Sequence, residues 1–295
     1  MASNQFSIDA LVPKEMARKA EQIGVAKVNL GPLRIVALAI LAGVFIALGA
    51  IFATTVTTGG SAMPFGVTKL LGGFVFCLGL VLVLGAGAEL FTGNNLIVMA
   101  WADRKISSWQ VIENWSLVYV GNFVGALLTA VLLFLSEQWT FAGGTVGLNA
   151  LNIANAKVQL DFVPAVFLGI FCNALVCLAV WLGIGARTAT DKILAVLFPI
   201  TAFVAAGFEH CVANMYFIPI GLLIKNFAPA GFWQQAGATA ADYSSLTWSN
   251  FFLANLLPVT IGNIIGGAMM VGLAYWFIYL RPSWTGHPAV KSEEG

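Results

Sequence analysis

Six apolar runs, at residues 35–57, 69–101, 115–136, 162–186, 192–224 and 250–280, push nearly all the charge of this chain into the segments between them. A bilayer core about 30 Å thick needs about 20 helical residues at about 1.5 Å each, and every run reaches that length. Only 9% of the 295 residues are charged and 59% are hydrophobic, whereas a soluble domain carries about 25% charge. So few charges cannot cover the surface of a soluble fold, and so apolar a chain does not stay disordered. A net charge of +1 offers nucleic acid no basic surface. The pattern predicts an all-α integral membrane protein of six transmembrane helices.

Orientation follows from Lys and Arg placement. With the N-terminus taken as cytoplasmic, Lys14, Arg18, Lys19, Lys27, Arg34, Arg104, Lys105, Arg187, Lys192, Arg281 and Lys291 fall inside. Lys69, Lys157 and Lys225 fall outside. Both termini are therefore expected to be cytoplasmic. The chain divides into a polar leader (1–33), a six-helix transmembrane domain (34–281) and a polar tail (282–295). The leader lacks a signal-peptidase site, so cleavage is not expected. Residues 13–23 read as a short amphipathic helix with Pro13 first, Gly24 after its end, and Met16, Ala20 and Ile23 on one face. That helix is either an interfacial packing element or a mobile gate. The Gly- and Asn-rich segment 137–161 is expected to lie along the outer surface. Cys77, Cys172, Cys177 and Cys211 sit in apolar runs and read as core residues.

The second and fifth runs are too long for one crossing and are interrupted midway by polar residues. These are Glu89, Thr92, Gly93, Asn94 and Asn95 in one, and Glu209, His210 and Asn214 in the other. Non-helical backbone at membrane depth survives only inside protein or along a cavity, so both runs are expected to be broken helices. A repeat supports this. Residues 86–94 align with 206–214 at an offset of 120, sharing Ala, Gly, Glu and Asn, and Gly121-Asn122-x-x-Gly125 aligns with Gly262-Asn263-x-x-Gly266 at an offset of 141. With three spans per half, the second half enters the membrane inverted, giving a 3+3 inverted repeat with its site near the midplane.

Ionisable residues at depth are functional hypotheses by default, and the expectation is three: Glu89, Glu209 and His210. His210 is either a core histidine satisfied by a backbone carbonyl or a pathway residue at a helix break. The matched positions of Glu89 and Glu209 suggest a shared structural task, accepting hydrogen bonds from backbone N–H groups freed at each break, with Asn94 and Asn214 beside them. Asn122 and Asn263 either serve plain packing or hydrogen-bond the breaks. One buried histidine and two separated acids give no metal cluster, and neither a nucleotide motif nor a haem pair is present. No cofactor is expected, and an enzyme is disfavoured.

Residues 86–94 (Ala-Gly-Ala-Glu-Leu-Phe-Thr-Gly-Asn), 207–215 (Gly-Phe-Glu-His-Cys-Val-Ala-Asn-Met) and 258–267 (Pro-Val-Thr-Ile-Gly-Asn-Ile-Ile-Gly-Gly) resemble signatures of the formate/nitrite transporter family. The resemblance spans essentially the whole chain. It implies an aquaporin-like protomer, five to a ring, each with its own pore, in a bacterial inner membrane. It implies passage of formate, with nitrite and acetate as further anions. By motif, His210, Thr92 and Asn263 stand at the pore centre. Phe76, Leu80 and Leu90 constrict it on one side, Phe203 and Val176 on the other, while Lys157 and Asn173 draw in or hold the anion. A nitrite or hydrosulfide channel of the same family is the alternative. A water or glycerol channel fits less well, since neither break carries Asn-Pro-Ala.

Overall fold

The computed structural model describes residues 10–281, so Lys291, His287 and the rest of the tail lie outside the described residues. All regular structure there is helical: α1 (Pro13–Val28), α2 (Pro32–Thr57), α3 (Phe65–Ala86), α4 (91–102), α5 (Ser108–Leu135), α6 (Thr145–Val158), α7 (Phe162–Gly185), α8 (Ala189–Ala205), α9 (Cys211–Phe227), α10 (Ala230–Ala236) and α11 (248–279). Five helical segments are long and apolar enough to cross a bilayer: Pro32–Thr57, Phe65–Ala86, Ser108–Leu135, Phe162–Gly185 and Ala240–Tyr279. The pair α9–α10, bent by 112°, makes a sixth if counted as one span. This is a multi-pass membrane protein.

Polar caps, not hydropathy, set several boundaries. α5 starts before its apolar run because Ser107 and Gln110 form a reciprocal cap, Gln110 N–H donating to Ser107 Oγ at 3.2 Å and Ser107 N–H to Gln110 Oε1 at 2.9 Å. Thr188 and Asp191 do the same for α8. α1 does not stop at Gly24 but continues to Val28. There the missing side chain serves packing: a Cβ would lie 3.3 Å from that of Ala100 and 3.4 Å from Ile97 Cα. The segment read as an outer-surface stretch contains α6, which buries Val146, Ala150, Leu151, Ala154 and Val158. Its contact partner is chiefly α9.

α2 packs on α3 and α5, α7 packs on α8 and α11, and α3 meets α8. Backbones come very close at Gly125, Gly262 and Gly266, where a Cβ would collide with the carbonyl oxygens of Ile40, Val166 and Ile170. Small residues here let two helices touch without side chains between them. α11 carries π-helical stretches at Phe251–Leu256 and Ile265–Leu273, on either side of Asn263. Wider turns of this kind have no hydropathy signature.

Candidate functional site

Helical backbone ends at Ala86 and resumes at Phe91; it ends again at Ala205 and resumes at Cys211. Gly87 and Gly207 take φ of +71° and +74°, which only glycine adopts cheaply. Beyond each glycine the chain is extended and tied to a neighbouring helix, Glu89 N–H donating to Leu38 O at 3.2 Å and Glu209 N–H to Leu168 O at 3.3 Å. One asparagine then holds each restart. Asn122 Oδ1 accepts from Phe91 N–H at 2.9 Å, and its Nδ2 donates to Ala39 O at 2.8 Å and Glu89 O at 2.9 Å. Asn263 Oδ1 accepts from Cys211 N–H at 2.9 Å, and its Nδ2 donates to Gly169 O at 2.8 Å and Glu209 O at 2.9 Å. The asparagines therefore perform the task expected of the glutamates.

The glutamate carboxylates bond side chains instead. Glu89 Oε1 accepts from Lys27 Nζ at 2.7 Å and Oε2 from Asn94 Nδ2 at 2.6 Å. Glu209 Oε1 accepts from Lys157 Nζ at 2.8 Å and Oε2 from Asn214 Nδ2 at 2.6 Å. Each asparagine also reaches a second one: Asn94 to Asn114 Oδ1 at 3.0 Å, and Asn214 to Asn255 Oδ1 at 2.7 Å. Burying one such charge unpaired is strongly unfavourable, so each Lys makes its Glu tolerable. Lys27 was missed as a site residue because it sits in the leader. A signal existed: Ala26-Lys27-Val28-x-Leu30 recurs as Ala156-Lys157-Val158-x-Leu160 at an offset of 130. α1 and α6 thus carry the same pattern, and the lysine of each pairs with a buried glutamate.

The matched pattern fails at one pair. Leu90 corresponds to His210, and the histidine brings in polar chemistry. His210 caps α9: its Nδ1 accepts from Ala213 N–H at 3.0 Å. A nitrogen that accepts has no proton, so the neutral ring carries its proton on Nε2. Nε2 lies 3.0 Å from Thr92 Oγ1 and can donate to it. The ring stacks on Phe203, centroids 5.8 Å apart and 20° from parallel. The N-terminal ends of α4 and α9 meet at this His–Thr contact, each pointing helix dipole toward it.

Two cavities approach the contact from opposite ends of the molecule. One, of 720 Å³, is lined by Lys157, Glu209, Asn214, Phe76, Phe203 and His210 among others. The other, of 590 Å³, is lined by Lys27, Glu89, Asn94, Leu80 and Leu90 among others. Thr92 is fully buried between them. The apolar residues therefore group as Phe76 with Phe203, edge to face at 5.8 Å, and Leu80 with Leu90. Phe76 and Leu80, one helical turn apart on α3, line different cavities. Val176 is buried in the hydrophobic core. Asn173 is fully buried, its Nδ2 donating to Asn95 Oδ1 at 3.0 Å and to Asn263 O at 2.6 Å.

Residues 14–277 match the family model described as formate/nitrite transporter. The chain is 49% identical over 280 residues to a formate channel FocA of Escherichia coli, covering 95% of this chain and 98% of that protein. A solved pentameric formate channel with formate bound superposes with a TM-score of 0.81 at 47% identity, over 85% of this chain and 98% of that one. A solved FNT family ion channel gives 0.76 at 28% identity, over 90% and 98%.

Proposed function

The chain belongs to the formate/nitrite transporter family, and we propose that it is a channel for formate and related small monovalent anions, a transporter and not an enzyme. The protomer is a 3+3 inverted repeat, aquaporin-like, whose second span is α3 with α4 and whose fifth is α8 with α9, both broken at the midplane. The bonds that recur at offsets of 120, 130 and 141 support this. Five protomers form the assembly, as in the solved relative described as pentameric. The membrane is the bacterial inner membrane, with both termini cytoplasmic. Leader, channel domain and tail keep the bounds 1–33, 34–281 and 282–295.

The observation that carries this reading is the His210–Thr92 contact at 3.0 Å, set between two cavities behind apolar side chains. A bare carboxylate entering so dry a constriction faces an idealised cost of about 20 kcal/mol, and several even after relaxation. Neutralising formate at pH 7, with a pKa of roughly 4, costs only about 4 kcal/mol. Phe76, Phe203, Leu80 and Leu90 thus exclude the hydrated ion and favour a protonated or proton-sharing species. Lys157 raises the local anion concentration at one cavity, and Lys27 does so at the other. His210 Nε2–H and the Thr92 hydroxyl then offer hydrogen bonds in place of the water the apolar side chains keep back. Since Nδ1 is committed to the Ala213 N–H, a second proton on the ring would displace that cap. Hydrogen-bond donation is therefore the favoured role over proton donation. Asn263 and Asn173 act by holding the break around the ring. In liposomes, formate flux is expected to be saturable and to be competed by nitrite and hydrosulfide. Glycerol or water flux without formate flux would overturn the assignment.

We further read α1 as the pH-sensitive element. Glu21 is buried against the loop after α4, its Oε2 lying 2.5 Å from Lys105 Nζ. Burial pushes its carboxyl above the usual range more than Lys105 pulls it down. Asp103 is held low, chiefly by its hydrogen bond with Glu21. A carboxyl raised in the docked state binds a proton on docking, so docking of α1 tightens as pH falls through the raised value and loosens above it. Acid thus holds α1 over the mouth it lines. Both deletion of residues 1–28 and Glu21→Gln should flatten the dependence of formate flux on pH on that face. A profile unchanged in both variants would exclude this role.

A further inference from the structure

The two cavities are built on one plan, and where they depart from it the difference is charge. At corresponding positions Lys27 faces Lys157 and Glu89 faces Glu209. The cavity under α1 adds Lys19, Arg187 and Lys192 to its lining. Their counterparts around the other cavity are Asn149, Thr57 and Gly72, all neutral and all lining it; that cavity has Lys69 besides Lys157, so the cavity under α1 carries four cations against two. The fold does not need the charges of Lys19 and Lys192. Lys19 Nζ donates to Ile184 O at 3.0 Å; at the corresponding place the amide of Asn149 donates to Thr54 O at 2.9 Å and to Thr57 Oγ1 at 3.1 Å. A neutral side chain satisfies the same carbonyl. The Lys192 ammonium has no hydrogen-bond or ion-pair partner among the described residues, although Lys19 and Lys192 both border the same space. The neighbouring acid, Asp191, is turned to its own helix start, Oδ2 accepting from Thr188 N–H at 3.0 Å and Arg187 N–H at 3.3 Å. Orientation by positive charge requires Lys and Arg near the cytoplasmic ends of spans, but it does not require three of them to face one cavity.

We propose that Lys19, Arg187 and Lys192 form a binding site for a free oxyanion of charge −2 or greater, and that its occupancy closes the pore to formate from the α1 face. Three cations at the mouth of a low-dielectric cavity focus a positive field on its opening. Forked Arg and Lys donors suit a tetrahedral or dicarboxylate oxyanion. Such an anion cannot continue inward. Desolvation cost rises with the square of the charge, and a single proton leaves a dianion still charged before Leu80 and Leu90. It therefore sits and blocks. The wider consequence is a channel whose flux from one side reports the cell's multivalent anions.

This inference rests on the formate-channel reading, and the test separates the two. The channel is reconstituted in vesicles of zwitterionic lipid, with an N-terminal tag marking orientation, and formate flux is measured first. Sulfate then replaces chloride at constant ionic strength on one face at a time. Sulfate on the α1 face is expected to lower formate flux about fivefold, and on the other face to act no more than chloride does. The Lys19→Ala, Lys192→Ala double variant should conduct formate and lose the block. Equal effects from both faces, or a block that survives in the double variant, would overturn the site. Should the double variant not fold, Lys192→Gln alone, on an exposed helix surface, is expected to weaken the block. If formate flux is absent altogether, the channel reading fails, and the site is read by the rise in melting temperature of the detergent-solubilised protein on adding sulfate. That rise should vanish in Lys192→Gln; its persistence, or its absence in the parent protein, again rejects the site.

Discussion

Replacing His210 by asparagine is expected to lower formate flux by about ten- to a hundredfold and to change its dependence on pH. Asparagine is a good helix N-cap, so its Oδ1 can still accept the Ala213 N–H that His210 Nδ1 accepts at 3.0 Å. α9 should therefore keep its start, and the protein its fold. What the shorter side chain cannot do is cap and reach Thr92 at once, as the ring does with Nε2 at 3.0 Å. A hydrogen bond to an anion in a dry site is worth about 1.5–3 kcal/mol, which sets the expected range. The stack on Phe203 is also lost. Flux and pH profile both unchanged in liposomes would remove His210 from the pathway and leave it as a cap alone.

The second large effect is on stability. Asn263→Ala leaves Cys211 N–H, Gly169 O and Glu209 O without their side-chain partner. Unsatisfied buried groups cost about 1–3 kcal/mol each, and relaxation recovers part of the sum, so a loss of about 3–6 kcal/mol is expected. Asn122→Ala deprives Phe91 N–H, Ala39 O and Glu89 O in the same way and should cost about as much. Thermal melting in detergent, followed by size-exclusion chromatography, measures both. Asn263→Asp restores an acceptor for Cys211 N–H but neither donor, and its melting temperature should stay close to that of Asn263→Ala. A melting temperature equal to the parent's in either alanine variant would show that the asparagines pack the breaks without holding them.

These two outcomes concern residues that the chain announces to different degrees. The polar stretches at which helical backbone stops after Ala86 and after Ala205 were legible because polar residues in an apolar run are costly and few. His210 stood out for the same reason. The split between Asn and Glu duties was not legible, since either side chain can accept a freed N–H and only distance decides which does. That Phe76 and Leu80 line different cavities was not legible either, because spacing along a helix does not say which cavity a side chain borders. Lys27 was overlooked for a different reason. It lies in a polar leader where a lysine is unremarkable in composition, and α1 carries it about 60 residues along the chain to meet Glu89.

By itself the sequence determined the class of solvent this protein lives in, the location of its apolar spans and the two places where they cannot remain helical. Burial energetics fix those features locally: an apolar run must leave water, and a polar group inside it must find a partner or a cavity. Which partner was decided only in the folded molecule. Lys27 and Lys157 find their glutamates across 62 and 52 residues, and His210 finds Thr92 across 118. Such pairings depend on helices approaching as closely as Gly125 and Gly266 allow; the Gly-x-x-x-Gly runs signal that close approach is possible, but which helix comes against them is decided by packing.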